Sequence, residues 1–213
     1  MILIKHIKDL RILLSGYNAN GYSVGFVPTM GALHKGHISL IHSSKKNHPI
    51  TVSSIFVNPT QFNNKIDFDK YPITIETDIN QLEASGCDVL FLPATAEMYP
   101  PNDEVVHYDL GYIETILEGS FRPGHFQGVC RIVDKLLTAV LPNTIYLGQK
   151  DYQQCMVIKK MISLKNHKTQ VQVCETLREM DGLAMSSRNM RLNESERKQA
   201  LHIIQSLQNI KTN

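Results

Sequence analysis

Short apolar runs alternate along the chain with longer amphipathic segments, and this alternation constrains the fold more than any other feature. The short runs are rich in β-branched residues and nearly continuous in apolar character, as strands buried on both faces are; they span residues 22–27, 50–57, 87–92, 144–148 and 170–175. The amphipathic segments span residues 36–47, 74–86, 128–143 and 151–166. This order of elements predicts a parallel sheet with helices on both faces, a Rossmann-like, doubly wound α/β fold.

The segments outside this alternation are less regular. The first 16 residues carry apolar side chains at helical spacing, interrupted by charged residues. Residues 93–104 contain three prolines and are expected to form a loop, while residues 105–110 are a candidate edge strand. A final helix is predicted at residues 193–209, where Asn193 and Glu196 have the spacing of a capping box.

Length and charge limit the classes of function. The 213 residues suit one α/β domain with at most a small addition. With 22 basic and 20 acidic residues the formal net charge is +2, so no broad cationic surface and no nucleic-acid partner are expected. The chain shows neither the apolar run of a signal peptide nor a stretch of membrane-spanning length. Its four cysteines form no C-x-x-C pair. We therefore expect a cytoplasmic protein with buried, reduced thiols and no membrane partner.

Polar connections follow four of the five predicted strands. They read PTMGALHKGH, NPTQF, GQKDYQQ and TLREMDGLAMSSRN, and they begin at residues 28, 58, 148 and 176. In an open parallel sheet, ligands bind beyond the carboxyl ends of the strands, where connections diverge. The four connections therefore predict one composite pocket at that edge.

Two histidines stand where the first connection enters a helix. If the helix begins near Gly36, its free N–H groups and its dipole favour an anion, and His34 and His37 can share one side of the first turn. Imidazole N–H groups suit phosphate oxygens that gain charge during nucleotidyl transfer. A metal ion would need further ligands, and no His, Cys or Asp stands at suitable spacing nearby, so no metal site is predicted. The motif is neither a G-x-x-x-x-G-K-[ST] phosphate loop nor a G-x-G-x-x-G fingerprint.

Five other histidines have no such context and are expected at the surface: His6, His42, His48, His167 and His202.

The second and third connections each allow two interpretations. Asn58 and Gln61 follow their strand closely, and their amides either bind a small polar substrate or cap the turn. Lys150 follows the next such strand, where an ammonium pairs well with phosphate. Asp151 either caps the helix that follows or accepts a hydrogen bond from a ribose hydroxyl. Gln154 lies within the first turn of that helix and can face the same pocket.

The last connection ends in hydroxyls beside a guanidinium. Ser186, Ser187 and Arg188 suit a polyphosphate, and they equally suit a capped loop that leads into the final helix. Both roles can hold together.

With these residues in place, the chain resembles the pantoate–β-alanine ligase family, which belongs to the nucleotidyltransferase superfamily with the H-x-G-H signature. The resemblance runs from about residue 22 to about residue 192. It rests on seven strings in order: FVPTMGALHKGHISLI, SIFVNPTQF, DFDKYP, MYP, LEGSFRPGHFQGV, YLGQKDYQQ and DGLAMSSRN. H-x-G-H alone would indicate only the superfamily.

The resemblance implies a two-step reaction in which ATP, accompanied by Mg²⁺, adenylates pantoate and β-alanine then displaces AMP. It also implies a homodimer. The residues that match nucleotide-binding positions are Met30, Gly31, Ala32, Leu33, His34, Lys35, Gly36, His37, Gly148, Gln149, Lys150, Asp151, Leu177, Met185, Ser186, Ser187 and Arg188, with His37, His34 and Lys150 in catalytic roles. Those that match pantoate or β-alanine positions are Gln61 and Gln154, and we add Asn58, Tyr71 and Arg122 from neighbouring family motifs.

One departure from the family concerns the carboxyl terminus. Family members continue into a small lid domain that closes over the site and excludes water from the acyl adenylate. We expect that domain to be largely absent here, and we divide the chain into a nucleotide- and pantoate-binding domain, residues 1–190, and the first helix of the lid, residues 191–213. The alternatives are a binding domain with impaired turnover, another nucleotidyltransferase that leaves the nucleotide on its product, and a class I aminoacyl-tRNA synthetase core.

Overall fold

The sheet is parallel throughout. The computed structural model describes residues 1–212. Among them, six strands form the sheet: β1 (Ile2–Ile4), β2 (Val24–Thr29), β3 (Ile50–Ile55), β4 (Val89–Phe91), β5 (Thr144–Gly148) and β6 (Gln170–Cys174). Their spatial order is β1-β4-β3-β2-β5-β6, with every neighbouring pair parallel. The predicted fold class is confirmed.

Helices connect the strands and cover both faces of the sheet. Those of the described residues are α1 (Ile7–Ala19), α2 (Lys35–Asn47), α3 (Lys65–Asp69), α4 (Ile75–Ala84), α5 (Thr95–Met98), α6 (Glu118–Phe121), α7 (His125–Val140), α8 (Tyr152–Leu164) and α9 (Glu194–Thr212). Short 3₁₀ turns add Pro59–Gln61, Gly111–Glu114, Gln149–Asp151 and Ser187–Arg191.

Two apolar layers hold the helices to the sheet. On one face α1, α7 and α8 bury side chains such as Leu10, Leu137 and Ile158 against the strands. On the other face α2 and α4 bury Ile41 and Leu82 in a smaller cluster. Helix α7 is the most deeply placed, because it is buried along most of its length. The amphipathic segment predicted at residues 128–143 is thus a helix that begins three residues earlier, at His125.

The order in which strands are added to the sheet switches from one side of β2 to the other. From β2 it proceeds to β3 and β4 on one side, and it then returns to β5 and β6 on the other side. The connections that leave the carboxyl ends of β2 and β5 diverge there, which is the point where doubly wound sheets bind ligands. The fold thus places the first and third polar connections side by side.

The amino terminus differs from its sequence pattern. Residues 2–4 form the edge strand β1, paired with β4, and the helix begins only at Ile7. Three apolar residues are too few to show a period, and pairing with β4 decides their conformation. The strand β6, expected to be buried on both faces, lies at the opposite edge and alternates between exposed and partly buried residues.

The predicted edge strand at residues 105–110 is wrong, because the described chain forms no strand there. The Gln127 side chain takes the place of a partner strand: its carbonyl accepts from the N–H of Tyr108 at 3.0 Å and its amide donates to the Tyr108 carbonyl at 2.9 Å. Tyr108 and Leu110 themselves point into the core. The segment is therefore extended and fixed without joining the sheet.

Several smaller predictions are resolved by the side chains. Asn193 and Glu196 form the predicted reciprocal capping box, with both bonds at 2.9 Å. The four thiols are free; three are buried and the fourth, Cys174, is partly buried. Among the described residues, every helix is too short or too polar to span a bilayer.

His6, His42 and His202 are exposed as predicted. The prediction is wrong for His48 and His167, which are partly buried because each has a polar partner, Ser23 at 2.9 Å and Asp134 at 2.6 Å respectively.

Candidate active site

A pocket opens at the carboxyl ends of β2, β3, β5 and β6, as the polar connections predicted. It encloses about 290 Å³, near the lower end of the range for small-molecule sites. Most of the predicted site residues line it: Met30, His34, Gly36, His37, Asn58, Gln61, Tyr71, Arg122, Gly148, Lys150, Asp151, Gln154, Leu177, Met185, Ser186, Ser187 and Arg188. The lining also includes Glu118, His125 and Glu175, which the sequence analysis did not single out.

The two histidines cap helix α2 with their own rings. Nδ1 of His34 accepts a hydrogen bond from the N–H of Gly36 at 3.1 Å, and Nδ1 of His37 accepts from the N–H of His34 at 3.2 Å. A neutral imidazole that accepts at Nδ1 carries its proton at Nε2. Backbone geometry therefore fixes both rings as Nε2–H donors, with their centroids 4.1 Å apart.

This arrangement corrects one expectation. The N–H groups of Gly36 and His37 are not free for an anion, because they bond to the His34 ring and the His34 carbonyl. The donors offered by this turn are imidazole edges rather than backbone amides.

Both rings are held neutral at physiological pH. Burial lowers the pKa of His37 to about 3, and the neighbouring His34 and the positive charge of Lys150 add to the effect. Burial also lowers the pKa of His34, again with help from Lys150. Two neutral donors bind phosphate oxygens without bringing fixed positive charge. Lys150 supplies that charge from nearby.

The loop before α2 lies partly behind the pocket wall. Gly31 and Ala32 both have left-handed backbone angles, with φ of 80° and 50°. Ala32 and Leu33 are buried, and their N–H groups bond to the carboxylate of Asp78 on α4. Five residues predicted to bind ATP do not line the pocket, namely Gly31, Ala32, Leu33, Lys35 and Gln149. The first three are enclosed by the fold, while Lys35 and Gln149 are exposed elsewhere.

The turn after β3 is fixed by Asn58. Its side chain caps the turn at the N–H of Thr60, donates to the carbonyl of Gly128 at 3.1 Å and accepts from the Tyr99 hydroxyl at 2.7 Å. Only 1% of Asn58 is exposed. Of the two interpretations, the structure gives Asn58 the capping role. Gln61 stands at the end of the turn and lines the pocket.

A second group of polar side chains packs against Gln61. Arg122 donates to Glu118 at 2.6 Å and to the carbonyl of Gln61 at 3.3 Å. His125, at the start of α7, contacts the same carbonyl at 2.8 Å and Arg122 at 3.2 Å. His125 is 4% exposed, and burial lowers its pKa. The string RPGHF contained this histidine, but nothing in its spacing distinguished it from a structural residue.

The connection after β5 presents an ion pair. Nζ of Lys150 lies 2.9 Å from Oδ1 of Asp151, and both side chains are exposed. Asp151 precedes α8 without capping it through its side chain. The exposed carboxylate and ammonium therefore remain accessible to a ligand. Gln154 lies in the first turn of α8 and is partly buried.

The connection after β6 folds back on itself. The N–H of Met185 donates to the carbonyl of Leu177 at 3.1 Å, which brings both residues to the pocket wall. Ser186 then caps the following 3₁₀ turn at the N–H of Arg188, as one of the two interpretations predicted. The Arg188 side chain reaches Asp67 of α3 at 3.5 Å. This ion pair joins the last connection to α3.

Tyr71 stands near the same place. Burial raises the pKa of its hydroxyl, and the neighbouring Arg188 and Ser187 act in the opposite direction.

Among the described residues, no three His, Cys, Asp or Glu side chains cluster as a metal site. The fold and the pocket together define a doubly wound α/β protein whose site combines neutral imidazole donors, one ammonium and two guanidinium groups. Such a set suits a small substrate with phosphate groups.

Comparison with known proteins narrows this class. The sequence profile described as pantoate-beta-alanine ligase matches residues 2–213. The pantothenate synthetase of Cytophaga hutchinsonii is 49% identical over 209 residues, covering 97% of this chain and 73% of that protein. The enzyme of the same name from Bacteroides thetaiotaomicron is 48% identical over 207 residues, with the same coverage. This chain belongs to the pantoate–β-alanine ligase family.

Solved structures agree with this assignment. Pantothenate synthetase from Thermus thermophilus superposes with a TM-score of 0.88 at 40% identity, over 94% of this chain and 71% of that one. Pantoate-beta-alanine ligase from Francisella tularensis, complexed with beta-gamma ATP and beta-alanine, gives a TM-score of 0.88 at 43% identity. That match covers 98% of this chain and 79% of the other.

Proposed function

We propose that the pocket condenses pantoate with β-alanine at the expense of ATP, as the family of this chain does. In the first step a pantoate carboxylate oxygen bonds to the α-phosphorus while the bond from that phosphorus to pyrophosphate breaks. In the second step the β-alanine amine bonds to the acyl carbon, AMP leaves and the amine loses a proton. The products are pantothenate, AMP and pyrophosphate.

One observation carries the proposal: the chain matches the family from residue 2 to residue 213, and the family motifs converge on one pocket. Neither step needs a nucleophilic side chain, since the substrates themselves attack. The protein has to align the reacting groups and stabilise charge on the phosphates. The donors that line the pocket suit that task.

The phosphate-binding role falls to two sides of the pocket. His34 and His37 offer Nε2–H groups from the start of α2, and Lys150 offers an ammonium from the end of β5. Ser186, Ser187 and Arg188 approach from the last connection. Leu177 and Met185, which lie together, provide an apolar surface for the adenine. Burial lowers the pKa of His37 to about 3, and we assign this neutral ring the main part in stabilising the transition state.

Pantoate and β-alanine are assigned to a second group of residues that line the pocket. Gln61 and Gln154 provide amides there, with Tyr71 and Arg122 close by. Arg122 already pairs with Glu118, so its guanidinium is positioned before any substrate carboxylate arrives. Asn58 contributes indirectly, because its side chain fixes the turn that carries Gln61.

Mg²⁺ is proposed as the companion of ATP. This ion usually keeps several waters and takes only one or two carboxylates in addition to phosphate oxygens. The exposed carboxylate of Asp151, beside the proposed phosphate position, fits that requirement. When bound, the ion would neutralise phosphate charge.

Three further features are proposals of the same kind. A homodimer is supported by exposed apolar side chains between residues 105 and 121, among them Tyr112 and Phe121 at 77% and 87% exposure, and sedimentation velocity tests it. A cytoplasmic location is supported by the free thiols. A domain division after residue 190 is supported by the exposed apolar residues Ile203, Leu207 and Ile210 on α9, and limited proteolysis near that residue tests it.

The function is tested by supplying ATP, Mg²⁺ and pantoate, with and without β-alanine, and following AMP and pyrophosphate. AMP release that requires both substrates supports the ligase. Pantoate-dependent exchange of pyrophosphate into ATP, without β-alanine-dependent AMP, indicates a domain that completes only the first step. Release of AMP and pyrophosphate that does not depend on pantoate refutes the proposal. His37→Ala should abolish adenylation, whereas His42→Ala, on the exposed side of the same helix, should not.

A further inference from the structure

Asp78 is a deeply buried carboxylate that bonds to a loop 45 residues earlier in the chain. It belongs to α4, and it is 1% exposed. Oδ2 accepts from the N–H of Ala32 at 2.9 Å, and Oδ1 accepts from the N–H of Leu33 at 2.8 Å. The hydroxyl of Thr74 donates to Oδ2 at 3.1 Å. Every described hydrogen bond of this carboxylate is therefore internal to the protein.

The loop needs such an acceptor because of its backbone. Gly31 and Ala32 are both left-handed, and for Ala32 this conformation is strained. The two N–H groups that result point into the interior, where they would be left unpaired without the carboxylate. A side chain at Gly31 would begin 3.0 Å from Oδ2, so the loop and the carboxylate are also in close contact.

The loop in turn determines where the histidines stand. Leu33 is followed directly by His34, the N-cap of α2, and the N–H of His34 bonds to the His37 ring. The backbone that Asp78 fixes therefore enters the turn that presents both imidazoles. Asp78 itself does not line the pocket. Its influence on the reaction is through the loop.

We infer that Asp78 is a positioning residue that holds the β2–α2 loop in its strained conformation and so aligns His34 and His37 for phosphate binding. The inference rests on the proposed function for its catalytic consequence. Its structural part, the fixed loop and fixed rings, stands independently of that function.

The test compares Asp78→Asn with Asp88→Asn. Asp88 is the control, because its carboxylate also accepts from a backbone N–H, that of Thr51 at 2.7 Å, and lies outside the pocket. It also accepts from Lys45 in the last turn of α2 at 2.8 Å, so its loss perturbs the same helix at the end away from the histidines. In Asp78→Asn one acceptor becomes an NH₂ group that faces an N–H donor. We expect kcat to fall about 10- to 100-fold, as expected for a small misplacement of catalytic groups. The KM for pantoate should change less than about fivefold, since Gln61 and Gln154 lie on other elements.

Asp88→Asn should lose stability and keep kcat within about twofold of the parent. An equal loss of kcat in both variants, or no loss in Asp78→Asn, overturns the inference. If Asp78→Asn does not fold, Thr74→Val replaces it, because this change removes one hydrogen bond and leaves the carboxylate. A kcat at least about twofold lower in Thr74→Val supports the inference, and an unchanged kcat contradicts it.

A measurement on the unaltered protein separates this inference from the proposed function. Amide hydrogen exchange should be as slow at Ala32 and Leu33 as in β2, and nitrogen NMR should find both rings protonated at Nε2. Fast exchange at these two amides refutes the fixed loop even if the enzyme is active. Slow exchange in a protein with no pantoate-dependent pyrophosphate exchange would leave the loop assignment intact and refute only the function.

Discussion

Gly128→Ala should damage the enzyme through a contact that the sequence does not reveal. Gly128 lies in α7 directly against the turn that carries Gln61. A Cβ at this position would stand 2.2 Å from the Thr60 carbonyl oxygen and 2.8 Å from Cα of Gln61. Ordinary contacts begin near 3.4 Å, so the turn or the helix must move by about 1 Å. The neighbouring bond from Asn58 to the Gly128 carbonyl lies in the same contact.

The magnitude follows from opposing effects. Overpacking costs about 1–3 kcal/mol, and a weakened buried hydrogen bond adds about 1 kcal/mol. Alanine regains about 1 kcal/mol over glycine inside a helix. The net loss is therefore about 1–3 kcal/mol, or a decrease in Tm of about 2–12 °C for a chain of this length. A displacement of about 1 Å at Gln61 should lower kcat/KM for pantoate by up to about 100-fold.

Thermal unfolding and the coupled AMP assay measure the two effects on the same preparation. Gly16→Ala is the matched control, because a Cβ there meets nothing within 4 Å and the change should leave Tm equal or slightly higher. If Gly128→Ala matches the parent in both Tm and kcat/KM, the contact between α7 and the turn is not as tight as the reasoning requires.

Three other changes probe the phosphate side of the pocket. The pKa of His37 is lower in the folded state than in the unfolded state, so the folded state binds fewer protons and stability falls as pH drops from about 6.5 towards 3, by at most about 1.4 kcal/mol per pH unit. Urea unfolding at pH 7, 6 and 5 should therefore show a shallower decline in stability for His37→Asn than for the parent. An equal decline would contradict the assignment. Lys150→Met removes a positive charge that lowers the pKa of His34 and His37, so both pKa values should rise in an NMR titration and the KM for ATP should rise as well. Unchanged pKa values would show that the ammonium is too distant to act on the rings. Arg197 of α9 forms ion pairs with Glu179 at 2.6 Å and Asp181 at 2.7 Å in the last connection. Arg197→Ala removes both, so the KM for ATP should rise while the KM for pantoate stays unchanged. A rise in both KM values would contradict a local effect on the nucleotide site.

The sequence predicted the sheet well because its central strands are buried. A short apolar run such as residues 144–148 indicates a buried strand, and the observed strand β5 has the predicted bounds. The two errors in strand prediction lie outside these central strands. Residues 2–4 are too short to show a period, and residues 105–110 resemble a strand although a side-chain amide satisfies their backbone.

The site was predictable to the extent that its residues follow strands closely. His37, Gln61 and Lys150 belong to connections that leave the carboxyl ends of strands, so a parallel sheet had to bring them to one edge. Asp78 was missed because its contribution depends on contacts with a distant loop, and helical spacing alone made it an ordinary polar residue. Ala32 was assigned to the nucleotide from its motif, whereas the fold encloses it.

The strand order has a consequence for how the protein becomes competent to bind. Strand β2 pairs with β3 over a short connection, but it pairs with β5 only when Gly25 meets Thr144 across more than half of the chain. Pairings so distant in sequence form slowly, because the intervening chain must be ordered first. Pairing of β2 with β3 positions the loop that carries His34 and His37, whereas pairing of β2 with β5 positions Lys150. A nucleotide analogue added during refolding should therefore bind late, after most helix has formed, and its binding would report the completion of the sheet.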